Sequence, residues 1–149
     1  MFYLMSTKTS DLESLLTSLK KDTDLDKFLD SNKDILDTIT FSEYFNNICK
    51  EKNIKKSILI NDSNMSRSYC YEVLRGDKIP DRDNALKLCL AAKLNLDETN
   101  RVLKLTNNGL LYPKITRDSI IIFCISKGYT LMQLDYLLYE KGQQTLCKE

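Results

Sequence analysis

Residues 67–72 read Arg-Ser-Tyr-Cys-Tyr-Glu, a run of donors, acceptors and aromatic faces suited to the edges of nucleic-acid bases. The planar fork of Arg67 matches guanine O6 and N7. Ser68 can reach a base or a phosphate. Tyr69 and Tyr71 can pack on a thymine methyl or bond phosphate through their hydroxyls. Glu72 can accept from cytosine N4 or repel phosphate. Cations flank the run, with Lys55 and Lys56 before it and Arg75 and Lys78 after it. Contacts from such residues to phosphate position a protein on duplex DNA, while base contacts specify the sequence.

Those side chains need a scaffold, and residues 54–76, IKKSILINDSNMSRSYCYEVLRG, predict one. They read as a short helix, a four-residue turn and a second helix ending on glycine, the unit that places a recognition helix in the major groove. Ser66 is the expected N-cap. Cys70, Val73 and Leu74 recur at helical spacing and should face the core. That leaves Arg67, Ser68, Tyr71 and Glu72 outward, with Tyr69 beside them. Met65 should fill the gap between the two helices, and Gly76 permits the left-handed turn that stops the second. Lys55 and Lys56 open the first helix, where backbone N–H groups also favour an anion.

On these residues the chain resembles the helix-turn-helix of the lambda-repressor, Cro and XRE class, through the pattern M-S-R-S-x-x-x-x-[VIL]-x-x-G at residues 65–76. The resemblance covers residues 41–105 and implies five helices that bind operator DNA as a dimer. By position, it places Lys56 on a phosphate, Arg67, Ser68 and Tyr71 on bases, and Arg75 on the backbone. The class favours a small residue where Ile60 stands and a large apolar one where Ser63 stands. The whole chain is also similar to uncharacterised XRE-like proteins of low-GC Gram-positive bacteria.

The remaining composition narrows the alternatives. The 149 residues are 42% hydrophobic, enough for a real core, with few breakers (four glycines, two prolines). No long stretch alternates apolar and polar residues, so an all-α fold is expected. The net charge is only +1 but is uneven. Residues 1–40 hold 5 basic and 8 acidic side chains, whereas residues 50–82 hold 8 basic and 5 acidic. The basic segment coincides with the candidate interface. Five scattered cysteines with no histidine provide no zinc-ligand spacing and fit reduced thiols in a cytoplasmic protein. With no histidine, no glycine-rich phosphate loop and no metal cluster, an enzyme is the weakest reading, and no cofactor is expected. Asp22, Asp24 and Asp26 alternate as in a calcium loop but lack its glycine and closing glutamate, so they read as a solvated run. The opening MFYLM is too short for a signal peptide, and the apolar run at residues 120–125 is far below a membrane span.

Further elements follow from capping and periodicity. Ser10 with Glu13 should cap a first helix carrying Leu12, Leu15, Leu16 and Leu19 on one face. Residues 20–26 read as a charged connector, and residues 25–36 as a second helix with Phe28, Leu29, Ile35 and Leu36. Thr40 or Ser42 opens a third, with Phe41, Tyr44, Phe45, Ile48 and Cys49 inward and Asn53 at its end. Helices are expected over residues 84–93, 97–106, 117–127 and 131–140. The last four contain an internal match: residues 82–104 align without gaps on 117–139, an offset of 35. Arg82-Asp83 meets Arg117-Asp118, Cys89 meets Cys124, Leu96 meets Leu131, Asn100 meets Asp135 and Leu103 meets Leu138. Either a true repeat or two helix pairs obeying common packing rules would give this pattern.

The sequence therefore divides into an N-terminal helical extension (residues 1–39), a lambda-repressor-like helix-turn-helix domain (residues 40–106) and a C-terminal helical hairpin packed on it (residues 107–149). The expected partners are double-stranded DNA and a second copy of the chain. A second reading gives the acidic N-terminal helices and the C-terminal hairpin to a protein partner, making the molecule an adaptor, an antitoxin-like partner or a phage-type inhibitor. Glu72 and the low net charge favour that reading.

Overall fold

A computed structural model describes residues 9–32 and 39–148, and divides the chain into two compact units, residues 1–38 and 39–149. Among the described residues there are nine α-helices and no strand. Among them, too, no helix is long and apolar enough to cross a membrane.

The first unit holds α1 (Thr9–Ser18) and α2 (Asp22–Ser31). Ser10 lies inside α1 rather than before it, so Ser10 is not the N-cap that its spacing to Glu13 predicts. The supposed connector over residues 20–26 is corrected too, since α2 begins at Asp22. Asp22 and Asp24 occupy its first turn, where negative charge meets the positive end of the helix dipole. Phe28 is buried, while Leu15, Leu16, Leu25 and Leu29 are exposed. Ile35 and Leu36 lie outside the described residues.

The second unit contains α3 (Phe41–Glu51), α4 (Lys56–Asp62), α5 (Arg67–Arg75), α6 (Arg82–Ala91), α7 (Leu96–Leu105), α8 (Thr116–Lys127) and α9 (Leu131–Glu140). One apolar core joins them. Helix α3 buries Phe41, Phe45 and Cys49 and begins at a capping box, in which Thr40 Oγ1 accepts from the Glu43 amide and Glu43 Oε1 accepts from the Thr40 amide. Thr40→Ala removes one half of that box and should cost about 1 kcal/mol, read as a lowered thermal midpoint. An unchanged midpoint would show that water replaces the cap at no cost. Helix α6 starts two residues earlier than residue 84, because the Asp81 carboxylate accepts from the Asn84 amide.

The internal match is a structural repeat. Adding 35 to the bounds of α7 gives those of α9. The left-handed residues Lys93 and Asn107 fall on Gly128 and Gly142. Arg82 donates to Gly109 O and Leu110 O, and Arg117 donates to Gln144 O and Thr145 O, each 35 residues on. Asn100 Oδ1 accepts from the Leu111 amide as Asp135 Oδ1 accepts from that of Leu146. Common packing rules do not reproduce side-chain contacts of this kind.

The two copies also exchange contacts reciprocally. Arg82 makes a two-pronged bond to Asp118 (3.0 and 2.9 Å), and Arg117 makes one to Asp83 (2.9 and 3.1 Å). Helix α6 packs on α9 as α8 packs on α7. Such mutual exchange of equivalent contacts is the signature of a twofold relation, here within one chain.

Candidate nucleic-acid interface

Helix α5 is fixed from beneath and at both ends. Cys70, Val73 and Leu74 are buried in the core, as their spacing predicts. Ser66 Oγ accepts from the Tyr69 amide at 3.2 Å. At the other end Gly76 turns left-handed (φ 87°), with its amide donating to Val73 O and the Asp77 amide donating to Glu72 O. Asn46 of α3 adds a support the sequence did not reveal. Its Nδ2 donates to Leu74 O and Ser42 O, both at 2.8 Å, and so satisfies a carbonyl of the last turn of α5 from a different helix. Met65 is half-buried against the core, as expected of the turn.

The two positions that depart from the class pattern, Ser63 and Ile60, both lie at the core. Ser63 is fully buried, with its hydroxyl 3.5 Å from Ile60 O, and Ile60 is half-buried against the core. Beneath α5, burial pushes the Cys49 thiol up to about 12, and burial raises Cys70 as well. These thiols stay protonated and serve as small apolar core groups.

The outward face carries the predicted residues in two settings. Arg67 and Ser68 are exposed on the first turn of α5. Among the described residues Arg67 has no ion-pair partner. Tyr69, Tyr71 and Glu72 are half-buried. Lysines stand over both rings, Lys56 Nζ 5.7 Å from the centre of Tyr71 and Lys78 Nζ 5.8 Å from that of Tyr69. The Tyr69 hydroxyl also accepts from Asn84 Nδ2 at 3.4 Å, which ties it to α6. Lys55 is exposed just before α4.

Two of the expected phosphate-binding cations already have acidic neighbours. Arg75 Nε lies 2.9 Å from Asp77 Oδ2, and Lys78 Nζ lies 3.4 Å from Glu72 Oε1. Exposed pairs of this kind contribute about 0–1 kcal/mol, so a phosphate can displace the carboxylate at little cost. Glu72 held by Lys78 is less available to a cytosine than the sequence implied. The surface thus offers one fork (Arg67), one hydroxyl (Ser68), two tyrosine rings and four flanking cations. That combination can bind a polyanion and offer hydrogen bonds to a base edge. Compared with family models, with curated proteins and with solved structures, the chain matches none.

Proposed function

We propose that the protein binds double-stranded DNA in a sequence-specific way and acts as a repressor-like cytoplasmic regulator. In this reading residues 54–76 are a helix-turn-helix of the lambda-repressor type, α5 is the reading helix, and a homodimer recognises a short palindrome. The observation that supports it best is the pairing of a rigidly anchored α5 with an exposed Arg67 and Ser68 on its first turn, flanked by Lys56 and Lys78. The first turn of a recognition helix is the part that meets base edges. The protein acts by binding, with no reaction of its own.

Sheared source DNA, retained by the purified protein and sequenced at two salt concentrations, tests this directly. A recovered palindrome with salt-sensitive affinity supports it. Arg67→Ala should then cost about 1–3 kcal/mol on the recovered site and relax specificity at one base pair. Lys56→Ala should weaken all sequences about equally. Unchanged affinity on replacing Arg67, or altered sequence preference on replacing Lys56, would overturn the division into reading and positioning residues.

A second reading, an adaptor that binds a protein through the C-terminal hairpin, is favoured by the exposed apolar side chains of α9. No DNA enrichment at low salt would move the assignment there.

A further inference from the structure

Among the described residues, the twofold relation between the two hairpins leaves one face without its counterpart. On the first hairpin, α3 packs against α7, with Lys52 Nζ 3.3 Å from Glu98 Oε1 and Arg101 5.6 Å from the centre of the Tyr44 ring. Adding 35 to the charged α7 residues Asp97, Glu98, Arg101 and Lys104 gives Met132, Gln133, Tyr136 and Tyr139. These four α7 residues are charged and their α9 equivalents are not; the one charge beside them is Glu140 at the end of α9, whose Oε2 accepts from the Tyr136 hydroxyl at 3.0 Å. Met132, Tyr136 and Tyr139 are 82%, 64% and 76% exposed. Tyr129, Met132, Tyr136 and Leu137 line an open groove there. Phe123 of α8, also exposed and set edge-on to Tyr129, extends the apolar area. Contiguous exposed apolar surface of this kind marks an interaction site.

We propose that this face of α9 is where a second copy of the chain docks, with the two α9 helices antiparallel across a twofold axis. Charge placement selects that occupant. Lys127 closes α8, four positions before α9 begins, with its Nζ 5.6 Å from the centre of the exposed Phe123 ring, and Glu140 ends α9. An antiparallel pair brings each Glu140 to the partner's α9 N-terminus, where Lys127 and the positive end of the helix dipole lie. Between these ends the facing side chains are uncharged, so the surface does not repel itself. Asp135, the one other acid on α9, is turned away, with its carboxylate accepting from the Leu146 and Cys147 amides. A twofold pair is also the commonest closed assembly. The proposal deepens the homodimer of the DNA reading but rests on α9 alone.

Sedimentation equilibrium on the full chain without DNA tests it. A dimer is expected for the native protein. Tyr136→Glu should weaken self-association at least about thirtyfold, the size of losing a central aromatic, while Tyr112→Glu, an exposed tyrosine outside α9, should leave it unchanged. Lys127→Glu should weaken the dimer, and Lys127→Glu with Glu140→Lys should restore it. A native protein that stays monomeric, or a dimer indifferent to Tyr136→Glu, overturns the proposal. Retained thermal stability of Tyr136→Glu shows that the loss is not unfolding. Failure here would leave the Arg67 effect on DNA intact, and failure of DNA binding would leave the dimer intact, so the two readings fall separately.

Discussion

Replacing Arg82 with Met is expected to destabilise the protein by about 3–5 kcal/mol at pH 7, the range for breaking a buried ion pair from one side. Its partner Asp118 is 1% exposed and receives both prongs of the guanidinium together with the Tyr112 amide at 2.9 Å. Burial by itself pushes the Asp118 carboxyl up. The Arg82 bonds, the Tyr112 amide and the charges of Arg82 and Arg117 outweigh it and hold the group below the usual carboxylate range. A depressed folded value contributes stability above the unfolded pKa, near 3.9, which is lost as pH falls through the folded value. The native protein should therefore lose stability on this account only below about pH 4. In Arg82→Met the sign reverses. The buried carboxylate, deprived of its strongest partner, should titrate above its unfolded value, so the cost should grow as pH rises from about 4 to 7. Chemical denaturation of both proteins across that range checks this. A cost independent of pH would mean that water reaches Asp118 and replaces the arginine. Asp118→Asn should be milder, since Arg82 keeps the Gly109 and Leu110 carbonyls and is partly open to solvent.

Local chemistry explains what could be read in advance. The Ser66 cap, the Cys70, Val73 and Leu74 triplet and the Gly76 stop each depend on neighbours within one or two turns, so spacing alone exposes them. The start of α2 is hidden in the sequence because a dense acidic run resembles a loop. In the first turn of a helix the same carboxylates are favourable. The start of α6 is likewise hidden, because Asp81, next to Pro80, reads as part of a turn, whereas its side chain is the cap. What spacing cannot give is the long-range partner. Asn46 reaches α5 across 28 positions, and nothing in its own helix announces that. The Arg-Asp doublets at residues 82–83 and 117–118 were visible as a match. That each arginine bonds the other copy's aspartate, rather than a neighbour in its own helix, emerged only from the packing. At the interface, the same limit hid the lysines' preference for Tyr69, Tyr71 and Glu72.

Phe45→Ala should lower stability by about 3–5 kcal/mol, since a fully buried ring leaves a cavity that its surroundings fill only in part. Phe45 is 0% exposed and stacks on Phe41 with ring centres 5.4 Å apart. Its helix, α3, packs against both α5 and α7, so the cavity opens beneath the candidate interface as well as within the core. Against a typical total of about 5–15 kcal/mol, the loss is large enough to lower the thermal midpoint by about 10 °C or more. On the proposed DNA-binding reading, DNA retention discriminates between support and contact. Below the lowered midpoint the folded Phe45→Ala protein should still retain DNA, because no atom of Phe45 reaches the surface. Arg67→Ala should show the converse, a native midpoint with weakened retention. Were Phe45→Ala to keep its stability, α3 would not be holding the domain together. Were it to lose DNA at temperatures where it remains folded, the core packing between α3 and α5, and not only the Asn46 bond to Leu74, would set the position of the candidate interface.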